Sequence, residues 1–182
     1  VQQAPDSDYI RHSDGPVLDR GPNDPYFLAS HDVFVEGASW HIWYLSGLDW
    51  LPGDPPGSTY NLRYAVSADG IDWQSQGTVA VDFAHPKEIA IARPCVIKDG
   101  DLWRMWFCYR GTNFNYRLGY AESHDAVQWT RRDKLAGIAT SESGWDSDMI
   151  CYPHVFDHGA NRYMLYNGNG YGQSGIGLAV LE

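Results

Sequence analysis

Basic residues are scarce in this chain. Lys and Arg number 13 against 23 Asp and Glu, which leaves a formal net charge of −10 over 182 residues. Nucleic-acid binding needs Lys and Arg to displace counterions from phosphates, so no nucleic acid is expected as a partner. The same balance argues against an anionic membrane surface. Cysteine is also rare, with only Cys95, Cys108 and Cys151 and no CxxC pair. That spacing disfavours a zinc ribbon or a thioredoxin-like site, and an odd count does not read as a disulfide framework. A reducing, cytoplasmic compartment is the expectation. No apolar run approaches the roughly 18 residues needed to span a bilayer, and no signal-peptide pattern is present. Helical periodicity is missing. His31, His85 and His154 lack the HxH or HExxH spacing of metal ligands, so neither metal nor cofactor is expected.

Aromatics and glycines are plentiful instead. The chain has 8 Trp, 12 Tyr, 19 Gly and 10 Pro, a composition of short strands and tight turns. A repeat organises them. Pro94-Cys-Val-Ile-Lys-Asp-Gly100 matches Pro153-His-Val-Phe-Asp-His-Gly159 at an offset of 59, as do Met105 with Met164 and Gly111 with Gly170, without a gap. An earlier copy matches Val33, Gly37, Trp40 and Trp43 to Val96, Gly100, Trp103 and Trp106 at an offset of 63. Its later part, Leu62 to Trp73, matches Leu118 to Trp129 at 56, because a longer loop from Leu48 to Thr59 intervenes.

Each copy reads as strands. The first strands are His31–Val35, Pro94–Lys98 and Pro153–Asp157. The second are Trp40–Leu45, Trp103–Tyr109 and Tyr163–Asn167, and the third Leu62–Ser67, Leu118–Ser123 and Gly175–Leu181. Two copies add a fourth strand, near Trp73–Val79 and Trp129–Arg132. Four-stranded antiparallel units in series are the signature of β-propeller blades, which bury their faces by stacking. A β-sandwich with coincidental similarity is the competing reading, and the gapless match speaks against it. The expected fold is therefore all-β: one propeller-like domain over residues 1–182, with units near 24–92, 93–150 and 151–182. A further strand is expected around Gly15–Asp19. Closed propellers have about 4 to 8 blades, so about three units imply a fragment or a half-ring closed by oligomerisation. A homodimer of half-propellers is the expectation for an isolated chain.

Two kinds of segment stand out within the repeat. Ser67-Ala-Asp-Gly-Ile-Asp-Trp73 and Ser123-His-Asp-Ala-Val-Gln-Trp129 share the form S-x-D-x-x-x-W, a turn signature with a structural role. Ahead of each first strand stands a carboxylate: Asp24, Glu88 and Asp148, respectively nine, eight and seven residues before Val33, Val96 and Val155. In a propeller the first strand is innermost, so these groups are expected to converge on a shared acidic cleft. Paired carboxylates perform glycoside hydrolysis, one as acid and one as base or nucleophile. Solvated loop residues or turn formers are the plainer reading of each one singly. Arg93 could clamp a substrate group or pair with Glu88 or Asp148. Trp145, Tyr152 and His154 flank the same end and complete the candidate carbohydrate-binding set, beside Trp50 and Tyr60.

The run Tyr64-Ala-Val-Ser-Ala-Asp-Gly-Ile-Asp-Trp73 resembles the repeat of five-bladed propeller glycosidases of glycoside hydrolase families 43, 32, 68 and 130. Ile91-Ala-Arg-Pro94, Gly144-Trp-Asp-Ser-Asp-Met149 and Tyr166-Asn-Gly-Asn-Gly-Tyr171 are similar to bacterial members of that group. The resemblance covers roughly Gly15 to Glu182 and matches the later blades. It implies a carbohydrate ligand, with Glu88 as general acid, Asp24 resembling an Asp-Pro element, and Asp148 without a clear family role. The first-blade Asp that serves as base or nucleophile in the family has no match here. A glycosidase and a non-catalytic carbohydrate-binding or self-assembling module both remain open.

Overall fold

The computed structural model describes residues 9–181. Three antiparallel units follow one another along the chain. The first contains β1 (Leu28–Glu36), β2 (Ser39–Leu51), β3 (Gly57–Ser67) and β4 (Gln74–Val81). The second contains β5 (Glu88–Asp99), β6 (Leu102–Gly111), β7 (Arg117–Ser123) and the short β8 (Thr130–Arg131). The third contains β9 (Cys151–His158), β10 (Asn161–Asn167) and β11 (Ile176–Val180). Among the described residues the other regular pieces are a 3₁₀ turn at Asp133–Leu135 and a short kinked turn, α1 (Asn169–Gly172), in which Gly170 and Tyr171 have φ of 65° and 62°. The first two units share one sheet through a single parallel bridge, Tyr60 to Ala90, and the third forms its own sheet.

Local chemistry sets the strand ends. The first hairpin of each unit turns at Gly37, Gly100 and Gly159, with φ of 59°, 60° and 62°. That left-handed conformation is open to glycine at no steric cost. The two S-x-D-x-x-x-W turns are built alike. Asp69 Oδ1 accepts the amides of Ile71 and Asp72, both at 2.9 Å, and Trp73 donates its indole N–H to Gly70 O at 3.0 Å. Asp125 and Trp129 repeat the arrangement in the second unit. The amide bonds hold both aspartates below the usual carboxylate range.

The core lies between the units. Trp43 of β2 is completely buried, 5.8 Å from both Trp103 and Trp129 of the second unit. Its indole N–H bonds Ala126 O in the second unit's turn at 3.0 Å. Between the second and third units Arg162 of β10 grips Asp99 of β5 with two bonds of 2.7 and 2.8 Å. All three cysteines are free and buried. Burial pushes the Cys95 and Cys151 thiols up to about 11, so they pack as protonated side chains.

One feature differs from expectation. Residues 15–19 form bends rather than a strand, because Pro16 offers no amide donor and Leu18 packs instead on Ile42, Tyr44 and Ala65. The units also leave apolar faces at both ends. Val33 and Val35 are exposed on the first, and Ile176, Leu178 and Val180 on the third. Among the described residues no strand of the third unit pairs with the first.

Candidate functional site

The innermost strands β1, β5 and β9 are stitched to one another at repeating positions. Asp32 Oδ2 accepts the Val96 amide at 2.6 Å, and Cys95 Sγ accepts the Val155 amide at 3.2 Å. Asp32, Cys95 and His154 are the same position of the repeat, at the offsets of 63 and 59. Burial raises the Asp32 carboxyl above its ordinary value, against the opposing pull of the amides and of nearby His154 and His31.

Two residues before this rung every inner strand breaks its regular course. Ser30, Arg93 and Tyr152 have φ of 42°, 56° and 58°, a region that non-glycine residues avoid by about 1–2 kcal/mol. They too are related by the repeat. The ladders shift register here, between Ala29 and Asp32, between Ala92 and Cys95, and opposite Leu165 and Asn167. Such bulges re-aim side chains beside functional sites. The Arg93 guanidinium lies 5.5 Å from the Tyr152 ring centre. Tyr152 stacks on Tyr171 at 6.3 Å, and Tyr116 meets both rings at 6.1 and 6.0 Å. The Tyr116 and Tyr60 hydroxyls are 2.6 Å apart, and Arg110 covers both rings at 5.7 and 5.9 Å. Burial pushes Tyr152 up to about 12 and Tyr116 further still, so both phenols are neutral hydrogen-bonding groups near neutral pH. The result is an aromatic platform with Arg93 against Tyr152, Arg110 over Tyr60 and Tyr116, and the exposed ring of Tyr171 at its margin.

The carboxylates expected to converge are held by different partners. Asp24 is buried against the first unit, where Tyr44 and Ser75 donate to Oδ2 at 3.1 Å each and Arg63 stands 3.8 Å from Oδ1. Tyr44 packs with Ile42 and Ala65, in a cluster apart from the core shared with the second unit. Asp24 thus sits on the outer face of the first unit. Glu88 begins β5 and is also buried. Arg131 grips both of its oxygens, at 2.7 and 3.3 Å, and the Ala84 amide donates to Oε2 at 3.0 Å. Arg131 in turn bonds Asp133 at 2.5 Å and lies over Phe107 and Tyr109. Asp148 is exposed. It accepts from Asn115 at 2.7 Å and lines an open polar depression of about 440 Å³ with Arg110 and Arg117. The three carboxylates share no hydrogen-bond partner. Their unequal distances from the inner strand already break the repeat, and each is held by its own side-chain partners.

The remaining expected residues divide as well. Arg93 and Tyr152 come together. Trp145 stacks on Tyr166 at 5.6 Å and closes over Gly168 and Gly177 within the third unit. His154 is exposed and stacks on Phe156 at 5.7 Å. Among the described residues no group of His, Cys, Asp or Glu side chains assembles into a metal-binding cluster. Sequence reasoning missed Ser30, Arg110, Tyr116 and Tyr171. The first was within reach, because the repeat offsets applied to Arg93 lead to Ser30 and Tyr152. The others lie in β6, in the loop before β7 and in α1, whose convergence depends on how the units stack.

No protein-family model matches the chain. Uncharacterized protein MT1551 of Mycobacterium tuberculosis (strain CDC 1551 / Oshkosh) is 44% identical over 174 residues, covering 96% of this chain and 57% of its own length. Uncharacterized protein Rv1502 of the same species (strain ATCC 25618 / H37Rv) is 43% identical over the same extent. The chain thus spans little more than half the length of these curated relatives. Among solved structures, a thermostable family-43 glycoside hydrolase superposes with a TM-score of 0.69 at 16% identity, over 92% of this chain and 57% of its own. The GH32 beta-fructofuranosidase BmSUC1 of Bombyx mori gives 0.63 at 18% identity, over 84% of this chain and 33% of its own. These families are five-bladed propellers, and the superposition extends over nearly the whole chain. In fold, the chain is an array of blades of the five-bladed β-propeller type found in glycoside hydrolases.

Proposed function

We propose that this chain binds carbohydrate at the end of its inner strands where Arg93, Tyr152, Tyr116 and Tyr171 meet. One observation carries the reading: three inner strands adopt a strained bulge at the same repeat position, and two of those bulges place Arg93 over Tyr152. Aromatic faces suit the C–H surfaces of a sugar ring, while guanidinium and phenol groups suit its oxygens. The likeness in fold to glycoside hydrolases supports the same ligand class. Saturation-transfer NMR with a panel of soluble oligosaccharides tests it. Tyr171→Ala and Tyr152→Ala are expected to weaken binding about tenfold, the scale of one lost aromatic contact. Unchanged binding in both variants refutes the site.

Hydrolysis is the second reading, and the exposure of Asp148 beside the platform favours it. Glu88 is a poor proton donor by geometry, since Arg131 and the Ala84 amide occupy its oxygens. A reducing-sugar assay should then show any activity falling at least a hundredfold in Asp148→Asn. For the isolated chain, the apolar end faces support closure by a second copy. The curated relatives have room for more: 174 residues at 57% coverage imply about 305 in all, leaving roughly 130, or about two further units of this size.

A further inference from the structure

We infer that the carbohydrate recognised at this site carries an anionic substituent, a carboxylate or a phosphate ester, received by Arg110, Arg117 and Arg93. The inference rests on the carbohydrate reading above and narrows its substrate class. Arginine pairing across the molecule supplies the first argument. Arg63, Arg104, Arg131, Arg132 and Arg162 each have a carboxylate oxygen within 4 Å. Among the described residues Arg93, Arg110 and Arg117 have none, although acids outnumber bases by 23 to 13. Arg11, Arg20 and Arg93 are exposed, the first two in the segment before β1, whereas Arg110 and Arg117 are partly buried. In so acidic a chain, two partly buried guanidinia without a carboxylate partner at one depression, with Arg93 against the neighbouring Tyr152, are a departure that a bound counter-charge answers.

Placement supplies the second argument. Arg110 is half-buried, covering Tyr60 and Tyr116. Arg117 is turned by its own loop, donating to the carbonyls of Asn115, Tyr116 and Asp148 at 3.2, 3.0 and 2.7 Å. Arg110 and Arg117 line the 440 Å³ depression together with Thr112, Asn113 and Asn115. Arg93 stands against Tyr152, the ring that Tyr116 meets at 6.1 Å. Asp148 opens into the same depression and is the one opposing charge lining it among the described residues, with Asn115 holding its Oδ2 at 2.7 Å. Two guanidinia against one carboxylate leave the depression cationic, and Arg93 adds to the charge at Tyr152. Planar guanidinium forks match carboxylate and phosphate oxygens better than any neutral hydroxyl. A neutral sugar would leave this charge unanswered.

Calorimetric titration with matched methyl glycosides tests the inference: glucose with glucuronate, galactose with galacturonate, and mannose with mannuronate. Glucose 6-phosphate and inorganic phosphate form a further arm that separates a phosphate ester from a uronate. At least one acidic sugar should bind ten- to a hundredfold tighter than its neutral partner, the range of one or two charge-assisted bonds. Arg110→Met and Arg117→Met should each abolish that preference, Arg110→Lys should keep part of it, and 0.5 M salt should narrow it. Unchanged melting temperatures identify which variants remain folded. Equal affinity for acidic and neutral forms, or a preference untouched in the Met variants, overturns the inference and leaves the carbohydrate reading standing. Inorganic phosphate binding while every sugar fails overturns the sugar part of both. No binding by any member overturns the carbohydrate reading and the inference with it.

Discussion

Glu88 gives the sharpest test of how this structure assigns its carboxylates. If it is a clasp between strands, Glu88→Gln must act on stability. Its side chain is 5% exposed and that of Arg131 12%. Removing one member of a buried ion pair typically costs about 3–5 kcal/mol, because the other charge is left uncompensated. The two halves should not be equal. Without Glu88, Arg131 keeps Asp133 at 2.5 Å, so the loss falls near the lower end, about 3 kcal/mol. Without Arg131, both Glu88 and Asp133 lose their partner, so Arg131→Met should reach about 5 kcal/mol. For a chain of this length each kcal/mol moves the melting temperature by roughly 2–4 °C. Thermal denaturation should therefore show drops of about 6–12 °C and about 10–20 °C respectively. The double variant should lose less than the sum, since the two residues are coupled. A Glu88→Gln protein that melts like its parent yet loses turnover of a glycoside would refute this reasoning and restore Glu88 as the proton donor.

Further expectations follow from the same contacts. Asp32 has a folded-state carboxyl raised above its ordinary value of 3.8, so its contribution to stability is full below that pH and is lost as pH rises through the raised value. Asp32→Asn removes this penalty while its amide oxygen can still accept the Val96 N–H; melting curves should show it gaining on the parent between pH 3 and pH 7, and a widening deficit counts against the argument. Gly119 pairs with Phe107 in the ladder, and a methyl group there would fall inside the fully buried Phe107 ring. Gly119→Ala should cost about 3 kcal/mol, at the upper end of overpacking effects, and chemical denaturation should show a lower midpoint with an unchanged slope. At the open end, Leu178→Glu should shift light-scattering mass from dimer toward monomer; a parent that is folded and monomeric in dilute solution rules out closure by a second copy.

Much of the architecture was legible from residues alone, for a physical reason. Blade strands are local objects. Alternation in Trp103-Arg-Met-Trp106, glycine at each hairpin and the S-x-D-x-x-x-W turn specify them through neighbours close in sequence. The repeat then marked equivalent positions. The functional reading was less secure, because a carboxylate's role depends on what stands across from it. Arg131 lies 43 residues beyond Glu88 and Tyr44 lies 20 beyond Asp24, and nothing in the local sequence announced either partnership.

By itself, then, the sequence determined that this protein is a run of antiparallel β units with an acidic overall charge and aromatic cores. Only the tertiary structure decided which charges are spent and which are free. Stacking the units locks Glu88 against Arg131, buries Asp24 on the outer face and gathers the tyrosines beside Arg93 and Arg110, which meet no carboxylate among the described residues. Strand formation is governed by local periodicity and turn chemistry, whereas the electrostatics of a site are set by long-range contacts that periodicity does not encode.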